Sequence, residues 1–210
     1  MDGRPQALRL AKSMAGLLIV QGIRLAVPRD PGQPVYGEVC VIPPEGSPDY
    51  RWALETASKS GCRGLVGDVD PERALYKALH YPGDGFMQAV IGVDPGRECA
   101  ASAIADGVLV WMWRGRCASV GLSIKGFLDK ASPSVLNIFL GSGPSFEEAE
   151  YSLALAGLSY TIVEEWGTTS MPYDPPGGVY TSMLDKDLLA SLTIAYRGLV
   201  GWRGRASANI

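Results

Sequence analysis

The sequence predicts a mixed α/β protein in two parts, and three observations predict it. Over the first 85 residues, strand-like and helix-like stretches alternate, as in a parallel sheet covered by helices. From residue 87, three strand-like runs follow one another through tight connections, the pattern of an antiparallel meander. Helix, strand, helix, strand, a Gly/Pro-rich loop and a last helix complete the chain.

In the first part, residues 6–20 read as a helix and "YGEVCVI" (Tyr36 to Ile42) as a strand. "SPDYRWALETASKSG" has Ser47 as cap, Pro48 at the first helical position and Gly61 as the stop. "RGLVGDV" is a second strand, and "DPERALYKALHY" a helix capped by Asp70 ahead of Pro71. The turn cluster "YPGDG" (Tyr81 to Gly85) divides a 1–85 α/β extension or small domain from an 86–210 domain.

In the second part, Met87–Asp94, Glu98–Ala105 and Val108–Trp113 are strands, the last two joined by the hairpin signal Asp106-Gly107. Residues 118–131 carry Val120, Ile124, Phe127 and Leu128 at helical spacing. Ser134–Gly141 is a strand. "SFEEAEYSLALAG" opens on a capping box, Ser145 with Glu148. Tyr160–Trp166 is the fifth strand, and the last helix runs from about Met183 to Leu199 behind Ser182.

The net charge is -3 and the pI about 5.2, which argues against a general nucleic-acid coat protein. The run Met14 to Val27 is apolar, but Gln21 and Arg24 break it, so it does not read as a membrane span. With no signal-peptide pattern, the chain reads as cytoplasmic. Cys40, Cys62, Cys99 and Cys117 form no CxxC pair and are expected to be reduced, buried thiols. The single histidine, His80, reads as structural and leaves no Ser-His-Asp hydrolase to build. Two Asn and four Gln are few, a composition that points to a heat-adapted source.

Carboxylates stand where elements end. Asp94 closes the first strand of the second part, Glu164 and Glu165 close the fifth, and Asp185 and Asp187 open the last helix. Parallel strands share a C-terminal edge where sites usually sit, and a helix across that edge would bring Asp187 toward Asp94. Clustered carboxylates repel unless a cation joins them, and hard oxygen donors suit Mg²⁺ or Mn²⁺. Alternation sends one of Glu164 and Glu165 to the site and the other to solvent, without saying which. Asp185, three residues after Ser182, fits the capping-box position, and Asp94 also fits a turn with Pro95-Gly96.

"IGVDPG" followed by a small-residue strand and "DG" resembles the first hairpin of the RNase H-like superfamily, especially its RuvC branch. "IVEEWGTTS" resembles the strand-end "VDERxTT" signature of the YqgF branch of Holliday junction resolvase-like proteins. "DKDLLASLTIAYRGL" is similar to that branch's last helix, and "LGSGP" stands where YqgF proteins carry "GLP". The resemblance covers about residues 87–202, and an archaeal group of RNase H-like proteins fits it equally well. It implies an RNase H-like fold, a mixed sheet flanked by helices, with Asp94, Glu165 and Asp187 as catalytic, metal-binding acids. Gly141 stands where RuvC has a further glutamate, a departure shared with YqgF, and Trp166 replaces the arginine of the signature.

The implied activity is Mg²⁺- or Mn²⁺-dependent cleavage of branched DNA or structured RNA. Lys125, Arg197 and Arg203 would lie along the nucleic acid, and Thr168 and Thr169 would bind its phosphates or merely shape their loop. Resolvases act as dimers on a two-fold symmetric junction, so a homodimer is an accompanying expectation. The alternative is a non-catalytic RNase H-like module that binds nucleic acid or protein. A phosphotransferase of the actin and sugar-kinase type ranks last, because residues 1–85 hold no second copy of the "DPG" hairpin.

Overall fold

The structure is a computed structural model that describes residues 39–164 and 184–199. The helix expected at 6–20, Glu165, Trp166, Thr168, Thr169, Ser182 and Arg203 lie outside the described residues. The chain divides into two compact units, one ending at Gly85 and the other taking up at Phe86.

In the first unit, β1 (Val39–Ile42) pairs in parallel with β2 (Gly64–Gly67), and α1 (Tyr50–Ser60) connects them. Gly61, at φ 66°, ends α1 in the left-handed conformation that glycine adopts freely. The expected Ser47 cap is not formed: Asp49 occupies the cap position, with no side-chain bond to the helix. α2 (Pro71–Leu79) starts as expected, the Asp70 carboxylate accepting from the amides of Glu72 and Arg73. His80 ends α2, its amide donating to the Tyr76 carbonyl.

The second unit holds a five-stranded mixed sheet ordered β5-β4-β3-β6-β7. Its strands are β3 (Gln88–Pro95), β4 (Cys99–Ala105), β5 (Val108–Gly115), β6 (Val135–Gly141) and β7 (Thr161–Val163). β3 and β4 are antiparallel, as are β4 and β5, while β6 runs parallel to β3 and β7 parallel to β6. β3, β6 and β7 therefore end at one edge. Asp106 and Gly107 take positive φ, 47° and 84°, and turn β4 into β5. The Asp106 carboxylate also accepts from the amides of Met87 and Gln88, both at 2.9 Å, and ties this turn to the start of β3.

Helices cover both sheet faces. α3 (Val120–Ala131) follows a 3₁₀ turn at Cys117–Ser119 and packs beside α4 (Phe146–Leu155). The Phe127 ring stacks on Trp111 with centroids 5.3 Å apart, which fixes the face these helices cover. α5 (Lys186–Leu199) lies over the opposite face, against β3, β4 and β6. It approaches closely because Gly92 has no side chain: a methyl group there would collide with the Ser191 carbonyl and the Ala195 amide.

Two expectations are corrected here. The four cysteines are not free thiols: Cys40 bonds to Cys62, and Cys99 to Cys117. Their Cα separations, 5.8 and 4.9 Å, lie within the span a bridge requires. Strand pairing brings together residues 22 and 18 positions apart, which a search for CxxC spacing does not detect. The capping box at α4 is also absent. Ser145 makes no side-chain bond to the helix, and the Glu148 carboxylate accepts instead from the Ala118 amide in the 3₁₀ turn. No helix among the described residues is long and apolar enough to cross a membrane.

Candidate functional site

Residues opposite one another on a β-ladder point to the same face. Asp94 pairs with Ala100, and Ala100 with Arg114, so these three residues form one row. Gly92, two positions before Asp94, lies under α5, so the row belongs to the α5 face. Asp94 is half-buried at the end of β3. Between it and Arg114, Ala100 is fully buried and adds only a methyl group to the floor.

α5 is held over this face by small polar contacts. The hydroxyls of Ser102 and Ser191 share a hydrogen bond of 2.6 Å, and the Ser191 hydroxyl also donates to the Leu188 carbonyl at 2.8 Å. One turn before Ser191, the helix begins at the row of Asp94 and Arg114. Asp185 is the true N-cap, its Oδ1 accepting from the amides of Asp187 at 3.0 Å and Leu188 at 2.9 Å. The expectation that Asp185 fills the capping-box position behind Ser182 is thus corrected: Asp185 is itself the cap, and the helix starts at Lys186.

Arg114 is the residue that sequence reasoning missed. Its guanidinium meets three carboxylates from two places in the chain, the β3–β4 turn and the start of α5. Nε lies 2.9 Å from Glu98 Oε2, Nη1 3.4 Å from Asp185 Oδ2, and Nη2 2.9 Å from Asp187 Oδ2. Partial desolvation pulls the guanidinium pKa down, but Asp187, Asp185 and Glu98 more than offset this, and the net shift is upward. Arg114 reaches this face because of a β-bulge. Ile104 pairs with Leu109 but Ala103 with Trp111, so Val110 is an extra residue in β5. Past Val110 the alternation is inverted, and Arg114 faces α5 while Trp111 and Trp113 face α3 and α4.

The remaining candidates separate. Arg197, near the end of α5, donates from Nη1 to the Glu164 carbonyl at 3.4 Å, which sets it at the C-terminal end of β7. Lys125 is exposed on α3, on the sheet face opposite Asp94 and Asp187, so the expectation that it shares a surface with them is not met. Among the described residues, no group of three His, Cys, Asp or Glu is arranged to hold a metal ion.

The sequence matches no protein-family model and no curated protein. Among solved structures, the chain is similar to T. thermophilus RuvC in complex with a Holliday junction substrate. That similarity has a TM-score of 0.41 and 11% identity, covering 55% of this chain and 98% of that one.

Proposed function

We propose that residues 86–210 form an RNase H-like domain that cleaves phosphodiester bonds in branched DNA or structured RNA, using Mg²⁺ or Mn²⁺ held by Asp94, Glu165 and Asp187. One observation carries this reading. Asp94 and the N-terminus of α5, with Asp187, share one sheet face at the edge where β3, β6 and β7 end. The central position of β3, antiparallel to one neighbour and parallel to the other, supports the resemblance drawn from the sequence motifs.

Glu165 lies outside the described residues, and the resemblance to the YqgF signature is what selects it over Glu164 as the third ligand. The donor set fits a hard cation, since Mg²⁺ commonly takes only one or two carboxylates and completes its shell with water and substrate phosphate. When bound, such an ion polarises a phosphoryl oxygen and activates water for attack. The protein's own part is to fix Asp94 on a buried strand, to hold Asp187 on a capped helix, and to offer Arg197 to phosphates along the edge. A cytoplasmic setting for a chain with two disulfides goes together with a heat-adapted source, where intracellular disulfides are common.

Asp94→Asn tests the reading. With Mn²⁺ or Mg²⁺, the wild type is expected to cut at least one of a panel of four-way junctions, flaps, duplexes and RNA–DNA hybrids. The variant is expected to lose about a hundredfold or more in rate, because metal-centred charge stabilisation is worth several kcal/mol. A wild type that never exceeds the variant's rate on any substrate rules the nuclease out.

The pairing of Arg114 with Asp187 favours a second reading: a non-catalytic module in which an internal cation neutralises the acids. Salt-dependent binding of nucleic acid without cleavage would identify it.

A further inference from the structure

We infer that Arg114 is a built-in counter-ion that competes with a divalent cation for Asp187, a positioning role that rests on the metal-centre reading above. Glu98 lies in the turn between β3 and β4, Asp185 caps α5, and Asp187 lies in its first turn, yet all three converge on one guanidinium. Burial does not force this convergence, since the Arg114 side chain is 44% exposed and the Asp187 side chain 24%. An inserted residue in β5 is what turns Arg114 toward the acids. Asp94 stands in the same row, separated from Arg114 only by Ala100.

A cation held by Asp94 and Asp187 and the guanidinium on Asp187 carry charge of the same sign beside one carboxylate. Each therefore weakens the other by the same factor. Without metal, Arg114 holds the start of α5 in place; with metal, Asp187 is shared or released. A unit charge about 6 Å from a doubly charged ion in water changes its affinity by roughly tenfold at low ionic strength, and salt reduces the effect.

The test is titration of the full chain with Mn²⁺ by calorimetry at low and high salt, for wild type, Asp94→Asn, Arg114→Met and Arg114→Lys. Arg114→Met is expected to bind Mn²⁺ roughly tenfold more tightly than wild type, by an amount that shrinks with salt. Arg114→Lys, which restores the charge, should return the affinity toward wild type. D94N-sensitive binding in which Arg114→Met is no tighter than wild type overturns the competition and leaves the metal centre standing. Binding that Asp94→Asn does not weaken, or no binding by either wild type or Arg114→Met, overturns the metal centre and the competition with it.

Discussion

The two faces of the five-stranded sheet are covered by helices in different ways. Toward α3 and α4 the sheet presents Ile91, Val93, Ala101, Ala103, Trp111, Ile138 and Leu140, against Val120, Ile124 and Phe127 from α3. Toward α5 it presents Gly92, Ser102 and Phe139, and at the edge Asp94 and Arg114. The first face is joined by apolar volume, which is non-directional and scales with the area removed from water. The second also buries apolar groups, Val90, Ile104 and Leu109 from the sheet and Leu192, Ile194 and Ala195 from α5, and adds close backbone approach, serine hydroxyls and charge. Glycine recurs in that approach: a methyl group on Gly198 would strike the Phe139 ring, just as one on Gly92 would strike the α5 backbone. The difference shows where a site can be accommodated. Apolar burial supports both faces, and it is the edge of the α5 face that ends in charged groups.

Truncating the apolar face should have the largest effect. Phe127 is 2% exposed and stacked on Trp111, so Phe127→Ala should cost about 3–5 kcal/mol in urea unfolding, with little influence on Mn²⁺ binding. Gly92→Ala should cost less, about 1–3 kcal/mol, because α5 must shift to admit the methyl group. Its distinguishing effect is on the site. Moving α5 carries Asp187 away from the Asp94 row, so Mn²⁺ affinity should fall together with stability. Equal metal affinity in Gly92→Ala and wild type would show that the helix position and the edge are independent, and the contrast between the faces would lose its functional meaning.

Much of the sheet was legible because its signals are local. Asp106-Gly107 announced a turn since few other residue pairs accept two positive φ values, and Asp70-Pro71 announced a helix start. Asp94 was legible as a charge closing an apolar run. The partner of Asp187 was not. Counting back from the hairpin without a bulge pairs Ala100 with Trp113 and turns Arg114 to the other face. One inserted residue, Val110, reverses every later side chain in β5, and no periodicity in "VLVWMWRG" marks it. The signal that was available is weaker: Arg114 is the single charge in that strand. The caps expected at Ser47 and Ser145 failed because a hydroxyl near a helix start is a common pattern whose bond depends on the entry angle of the chain. The cysteine pairs failed because only the strand register brings them together.

The smallest effect is the one that separates the two ways in which the charged edge holds α5. Asp185 both caps the helix and pairs with Arg114. Asp185→Ala removes both roles and should cost about 1 kcal/mol, the usual worth of an N-cap. Asp185→Asn keeps an oxygen for the amides of Asp187 and Leu188 and removes only the charge. It should cost a few tenths of a kcal/mol, since exposed ion pairs contribute about 0–1 kcal/mol. Hydrogen exchange at the Leu188 amide should quicken in Asp185→Ala and stay near wild type in Asp185→Asn. If the two variants are equally destabilised, the guanidinium rather than the cap anchors this end of α5. A cation that draws Asp187 away from Arg114 would then loosen the helix start, and metal binding would be expected to speed exchange at Leu188.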